Sequence, residues 1–454
     1  MLRLFAVVAA CVVPGATSLA QSTPAAFINA RIITITGDTI DGGTLVVHDG
    51  EIVAVGDGVV VPRDADVYDA AGLTIMPGLV DTHSHIGGIG AADGSGPIQP
   101  GVRVFDSINP RSSGFKRALA GGLTTLNIMP GSGHLSSGQT VYAKLRWADG
   151  PPTSVDDIAV RDDSGAMMGG LKMANGTNSI RPGGANGFPG TRGKSAYLVR
   201  ERFLKAQEYR DAIERAGDDA SKLPARDLGL EALVEVMSGS RIVHHHTHRA
   251  DDIMTVLRLA DEFGFRVVLH HVSEAWVVAD EIAAYEGVDG PDGEPWGAPC
   301  SIILIDSPGG KLEAASLILE TGGVLEKAGA QVAIHTDDWI TDSRLFLRYA
   351  ALAVRAGMSR EAALRALTIE GARMLDMGDR VGSLEVGKDA DFVLLSGYPL
   401  ALDTRVLQTW VEGELAFDLS DEDDRLYAEG GLGAAHDIQP YFCCYDHLIQ
   451  GSGH

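Results

Sequence analysis

The chain has 454 residues, 45% of them hydrophobic, which suits one large α/β domain or two to three smaller ones with a sizeable core. Its 37 basic and 61 acidic side chains leave a formal net charge of −24, a field that repels a phosphate backbone and argues against nucleic acid as a partner. Glycine is abundant, at 56 residues against 19 prolines, which indicates many loops and not disorder.

The opening stretch, MLRLFAVVAACVVPGATSLAQS, joins one Arg, an apolar run from Leu4 to Val13 and a small-x-small end at Ser18-Leu19-Ala20. That pattern predicts a secretory signal over residues 1–20, cut near Ala20. The apolar run is too short to span a bilayer. A lipoprotein box ending at Cys11 is the rival reading. The expectation is an exported, periplasmic protein with no integral membrane span. Cys300, Cys443 and Cys444 then remain. Export permits a disulfide, but three thiols cannot all pair internally, and neighbours bond only with strain. None lies in a CxxC pattern, and none is assigned a catalytic role.

Next come AFINARIITIT, GGTLVVHDGEIVAVG and VVVPRDADVYDA, rich in Val, Ile and Thr and broken by Gly and Asp. They predict antiparallel strands and hairpins. A similar block returns late, as GSLEVGKDADFVLLSG and TRVLQTWVEGELAF. The two blocks, residues 21–76 and 379–417, predict one small β-sandwich built from both chain ends. Between them, apolar runs alternate with helical stretches. In RADDIMTVLRLADEFGF, Ile253, Val256, Leu257 and Ala260 share a helix face and Gly264 ends it. Strand-like runs include LTIMPGLVDTH, LTTLNIMP, RIVHHH, FRVVLHH, CSIILID and AQVAIHTDD. Repeated β-α units predict a parallel sheet under helices, and residues 77–378 fit a (β/α)₈ TIM barrel with insertions. A doubly wound open sheet is the alternative, but no Gly-rich dinucleotide fingerprint follows an early strand. Two Gly-rich loops, GGIGAADGSGPIQPG and ANGTNSIRPGGANGFPGTRGK, would sit at the barrel mouth. Neither has a phosphate-loop ending. Residues 418–454 read as an irregular C-terminal extension.

The candidate chemistry lies at strand ends. In PGLVDTHSHIGG, His83 and His85 are two apart, so both can point to one face and bind one ion. In FRVVLHHVSEAW, His270 and His271 are adjacent, so only one should face the axis. In AQVAIHTDD, His335 and Asp337 share parity with Ala333, and Asp338 reads as a cap. RIVHHHTHRADD is divided by the same alternation. Ile242, His244, His246 and His248 lie on one side; Val243 and His245 face the helices. The C-terminal rim of a barrel is its catalytic face, and His with carboxylate suits Zn²⁺ or a similar divalent ion. Such an ion activates water and polarises a carbonyl, and an aspartate can carry the proton to a leaving amine. The chemistry is metal-assisted hydrolysis of a carbon–nitrogen bond in a small molecule.

PGLVDTHSH after a β-rich start, HTHRADD, LHHVSE, HTDD and the closing GSLEVGKDADFVLL resemble the amidohydrolase superfamily, in its imidazolonepropionase-like and prolidase-like branch. The resemblance covers nearly all of the chain outside the leader and tail. It implies a (β/α)₈ barrel with a β-sandwich and metal ligands His83, His85, His246, His271 and Asp337. Asp337 would also be the catalytic base. It further implies one or two divalent ions, Zn²⁺ first among them. In two-metal members a carboxylated lysine bridges the ions, and Lys172 in SGAMMGGLKMANG is the candidate; a solvent-reaching lysine at a helix start is the plain alternative. His248, Arg249 and His134 are candidate substrate contacts, although Arg249 could simply pair with Asp251 or Asp252. Glu274 is an acid/base or a helix-start residue. Tyr142 and Lys144 take no role.

Three functions compete. The first is a hydrolase of a dipeptide, acyl amino acid or cyclic amide. The second is a deaminase of the same superfamily, whose members tend to carry His-x-x-Glu on the fifth strand; here the matching pair is His246 and Arg249. The third is a binding protein that keeps the metal and has lost catalysis, which the presence of Asp337 disfavours. Substrate specificity lies in loops with no readable code. An acidic exported barrel of this kind is also a candidate homo-oligomer.

Overall fold

The computed structural model describes residues 23–90, 92–305, 311–338 and 340–430. The expected signal segment, the Cys11 box, Cys443 and Cys444 lie outside them. Cys300 is buried and forms no disulfide among the described residues.

Both chain ends build one eight-stranded sheet. Its members are β1 (Ala25–Ile33), β2 (Thr39–His48), β3 (Glu51–Gly56), β4 (Asp66–Asp69) and β5 (Thr74–Pro77), joined by three late strands. In this sheet β5 pairs antiparallel with Phe392–Leu395, which pairs with Val406–Val411, which pairs with Glu414–Asp418. Phe27 on β1 and Trp410 lie three strands apart in that order, roughly 14 Å in a flat sheet. Their rings are 5.0 Å apart. The sheet therefore curls over on itself. Phe27, Phe392 and Trp410 fill the fold with Ile32, Leu45, Ile52 and Ile75.

The middle of the chain supplies β6 (Leu79–Ser84), β7 (Leu123–Ile128), β8 (Ser136–Gln139), β9 (Val141–Lys144), β10 (Leu171–Ala174), β11 (Val243–Thr247), β12 (Val267–His271), β13 (Cys300–Ile302) and β14 (Val332–Ile334). The late strands of the first sheet are then β15 (Phe392–Leu395), β16 (Val406–Val411) and β17 (Glu414–Asp418). β10 to β14 pair in parallel, each with the next, and β6 pairs in parallel with β7. One departure from the expected parallel order is β8–β9. Its first half runs antiparallel to β10 and its second antiparallel to β7. The link from β7 is too short for a parallel crossover, which takes a dozen or more residues. At the other edge, Asp337 N donates to His83 O at 2.9 Å and His85 N to Asp338 O at 3.3 Å. The two strand groups thus meet at both edges, and the ends of β6 and β14 lie side by side.

Helices follow most strands and cover the outer face. The Ala250–Phe263 helix buries Ile253, Val256, Leu257 and Ala260, as its periodicity predicts, and Gly264 closes it in the left-handed region at φ 66. Glu274 accepts from Ala250 N at 3.0 Å, so it caps this helix from a neighbouring loop. Inside the strands lies a small apolar floor of Ile242, Val268, Ala333 and Met374. The stretch after Asp418 is not wholly irregular: Glu422–Glu429 is a helix. The Asp421 side chain accepts from Asp423 N and Asp424 N, a cap that polarity alone did not reveal. Lys116 ties it down through Asp424 at 2.6 Å. No helix among the described residues is long and apolar enough to cross a membrane.

Candidate metal centre

Above the apolar floor the strand ends bring a layer of imidazoles together. His83 is the hub. Its Nε2 lies 3.3 Å from His85 Nε2, 3.5 Å from Asp337 Oδ1 and 3.0 Å from Lys172 Nζ. Asp337 Oδ1 is also 3.0 Å from His85 Nε2. His271 Nδ1 is 3.1 Å from His335 Nε2 and 3.9 Å from Asp337 Oδ2. Among the described residues two overlapping groups are compact enough to hold an ion, His83–His85–Asp337 and His83–His271–His335, all buried.

The spacing fits a metal. Two nitrogens about 2.0–2.1 Å from a tetrahedral ion sit roughly 3.3 Å apart, the His83–His85 separation. Asp337 Oδ1 is buried beside two imidazole nitrogens yet has no hydrogen bond of proper geometry. Buried polar atoms rarely go unsatisfied; a shared cation satisfies all three donors at once. Asp337 also holds a left-handed φ of 51, a strained conformation of the sort that collects at functional sites.

Neutral imidazole is the form that ligates metals, and burial disfavours the charged form of six imidazoles here, His335 among them. It pushes His83, His246, His248, His270 and His271 well below the usual histidine range. Lys172 adds to the effect on His83, and Lys311 on His246 and His248. His335 falls to about 3, again chiefly from burial. Outer contacts set the rings. His85 Nδ1 meets Met129 O at 2.7 Å, leaving Nε2 to face the site. Asp81, pushed up to about 7 by burial, accepts from His83 N at 3.0 Å and from Thr336.

The division of RIVHHHTHRADD by alternation matches the geometry. His244, His246 and His248 point inward; His245 faces the helices, and its Nδ1 meets the His246 carbonyl at 3.0 Å. His246 is in neither ion-sized group. Its ring is 4.4 Å from that of His271, its Nε2 is 3.1 Å from Lys311 Nζ, and its Nδ1 has no hydrogen bond. His248 binds Ser273 Oγ through Nδ1 at 2.7 Å and leaves Nε2 without a partner. Lys172 lies in β10 and is fully buried, not at a helix start; it also contacts Met129 Sδ at 3.0 Å.

Three expectations are corrected. Arg249 does not reach the pocket: it precedes the helix, is about half exposed, and its guanidinium is taken by Asp251 at 2.9 and 3.0 Å. His134 packs on Phe188 at 5.1 Å beside Arg181, with no hydrogen bond or ring contact to the imidazole layer. His270 and His271 both face inward, because His271 and Val272 take φ of 69 and 42. Alternation holds only for extended backbone. The sequence places His335 on the inner face with Asp337 but gives it no ligand role, and it does not bring Lys311 to the pocket. The parity of His335 with Asp337 was a usable signal; nothing local marked Lys311. Asp338 does act as a cap, accepting from Ser343 N at 3.2 Å.

Known proteins similar to this chain point to one family. A family model described as "Amidohydrolase family" matches residues 295–417. The amidohydrolase tasK of Hapsidospora irregularis is 28% identical over 79% of this chain, which spans only 38% of that longer protein. An imidazolonepropionase of Rhizobium rhizogenes is 26% identical over 81% of this chain and 90% of its own length. The crystal structure of an amidohydrolase from Thermotoga maritima MSB8 is 32% identical, with a TM-score of 0.78 over 87% of this chain and 99% of that one.

Proposed function

The chain belongs to the amidohydrolase superfamily, and from that premise we propose that it is an exported, metal-dependent hydrolase cleaving a carbon–nitrogen bond in a small molecule. The observation that carries the reading is Asp337 Oδ1, unsatisfied at 3.0 Å from His85 Nε2 and 3.5 Å from His83 Nε2. Export rests on the signal-like pattern of residues 1–20. The meeting of the strand groups at both edges supports a (β/α)₈ barrel over residues 77–378. The curled terminal sheet supports a sandwich from residues 21–76 and 379–417.

In this reading His83, His85, His246, His271 and Asp337 hold one or two divalent ions, Zn²⁺ first among them. Lys172, once carboxylated, would add a ligand to this set; its amine sits wholly buried at 3.0 Å from His83 Nε2, a costly place for an ammonium. When bound, the ion supplies electrophilic pull on the carbonyl and a water acidic near neutral pH. Asp337 would accept a proton at a carboxylate oxygen from the water whose oxygen bonds to the carbonyl carbon, and deliver it to the nitrogen as the carbon–nitrogen bond breaks. His248 offers its unpartnered Nε2 to the substrate. Lys311, close to His246, adds a positive charge suited to a substrate carboxylate. Dipeptides, N-acyl amino acids and cyclic amides are the candidate substrates. A deaminase would want an acid three residues past His246, where Arg249 stands at the surface instead.

The test is a screen of dipeptides, N-acyl amino acids, lactams and aryl esters with metal-loaded protein, followed by Asp337→Asn. Loss of a general base costs about 10²–10⁴-fold in kcat. The variant should lose at least that while keeping its fold and most of its metal. Undiminished turnover by Asp337→Asn would overturn the mechanism.

A further inference from the structure

Behind His83 runs a line of buried polar rings that the proposed chemistry does not use. His83 Nδ1 is 3.2 Å from His270 Nδ1. His270 Nε2 is 3.0 Å from His244 Nδ1. His244 Nε2 is 2.9 Å from Tyr142 Oη. The four groups come from β6, β12, β11 and β9, and none is more than 2% exposed. Barrel interiors are usually filled with branched apolar side chains. The backbone makes room for this line: a Cβ on Gly170 would lie 2.2 Å from His244 Cδ2.

A neutral imidazole has one donor and one acceptor nitrogen, so the line can be protonated in only two ways. If Tyr142 donates to His244, every proton shifts one way and His83 ends with a hydrogen on Nε2. If His83 donates from Nδ1, then His270 donates from Nε2, His244 donates from Nε2, and Tyr142 Oη is the final acceptor. Only the second arrangement leaves His83 Nε2 bare toward His85 and Asp337.

We infer that His270, His244 and Tyr142 are positioning residues that hold His83 in its metal-binding tautomer, and that metal binding orders the protons of the whole line toward Tyr142. The inference rests on the metal site proposed above. The groups beyond a ligating histidine tune affinity typically 10–100-fold, and a fully satisfied buried line is rigid where a broken one is costly.

The experiment is Zn²⁺ titration of the full-length apoprotein against a chromophoric chelator. It compares wild type, His270→Phe, His270→Gln and Tyr142→Phe, with thermal melting as the check on folding. His270→Phe should bind Zn²⁺ about 10–100-fold more weakly. His270→Gln, whose amide can accept from His83 and donate onward, should recover much of that. Tyr142→Phe should lose a few-fold. Histidine ¹⁵N NMR of the zinc-loaded protein should show His270 and His244 protonated on Nε2. Folded His270→Phe with wild-type affinity, or a protonated His270 Nδ1 in the zinc form, overturns the inference. If His270→Phe does not fold, Tyr142→Phe and the NMR assignment decide. A wild-type protein that takes up no Zn²⁺ overturns the metal reading itself, a distinct outcome.

Discussion

Lys144 should be the most pH-revealing residue to remove. It is completely buried on β9, where it faces the loops of the terminal sheet. Its Nζ lies 2.5 Å from Asp389, 3.0 Å from Asp391 and 3.2 Å from Glu412. Asp389 and Glu412 keep arginine partners in Arg380 and Arg146. Asp391, 1% exposed at its side chain, has no other cation bridging it among the described residues. At an effective dielectric of about 20, one pair at 3 Å is worth on the order of 5 kcal/mol before desolvation is charged against it. Breaking a buried pair by deleting one partner costs about 3–5 kcal/mol in practice, so Lys144→Met should lose that much stability near neutral pH.

The sign with pH follows from Asp391. Burial, opposed by Lys144, already pushes its carboxyl above the usual range; without Lys144 it must rise further. A carboxyl whose folded pKa exceeds its unfolded value stabilises the fold at pH below about 4, and that contribution is lost as pH rises through the folded value. The deficit of Lys144→Met should therefore widen from pH 5 to pH 8 in urea unfolding, and Asp391→Asn in the same background should remove the slope. A deficit under about 1 kcal/mol, or one flat across that range, would refute the reasoning.

Two further outcomes are expected. If Lys172 bridges two ions, metal analysis of the purified protein should give two per chain, and Lys172→Ala should lower that number while the fold survives; two ions retained would exclude the bridge. Arg249→Ala should leave KM and kcat within about 2-fold and stability within about 0.5 kcal/mol, since the exposed Arg249–Asp251 pair is of the weakly contributing kind. A tenfold rise in KM would restore Arg249 to the pocket.

The sequence alone determined the elements and the parity of their side chains. Period-2 patterns marked the terminal strands, helical spacing marked Ala250–Phe263, and strict alternation sorted His244, His246 and His248 from His245, because extended backbone leaves each side chain only two directions. His83 and His85 were legible for the same reason; Asp337, whose φ of 51 leaves the extended region, was marked by its place at the end of an apolar run. What only the tertiary structure decided lay where backbone leaves the extended region or where partners are distant in sequence. Left-handed φ at His271 and Val272 turned both adjacent histidines inward. A short connection reversed β8–β9 and carried Tyr142 to His244, 102 residues away. Asp251 drew Arg249 out to solvent, and Lys311 came to His246 across 65 residues. Local pattern records the direction of a side chain; which charge or ring it meets there depends on packing between strands far apart in the chain.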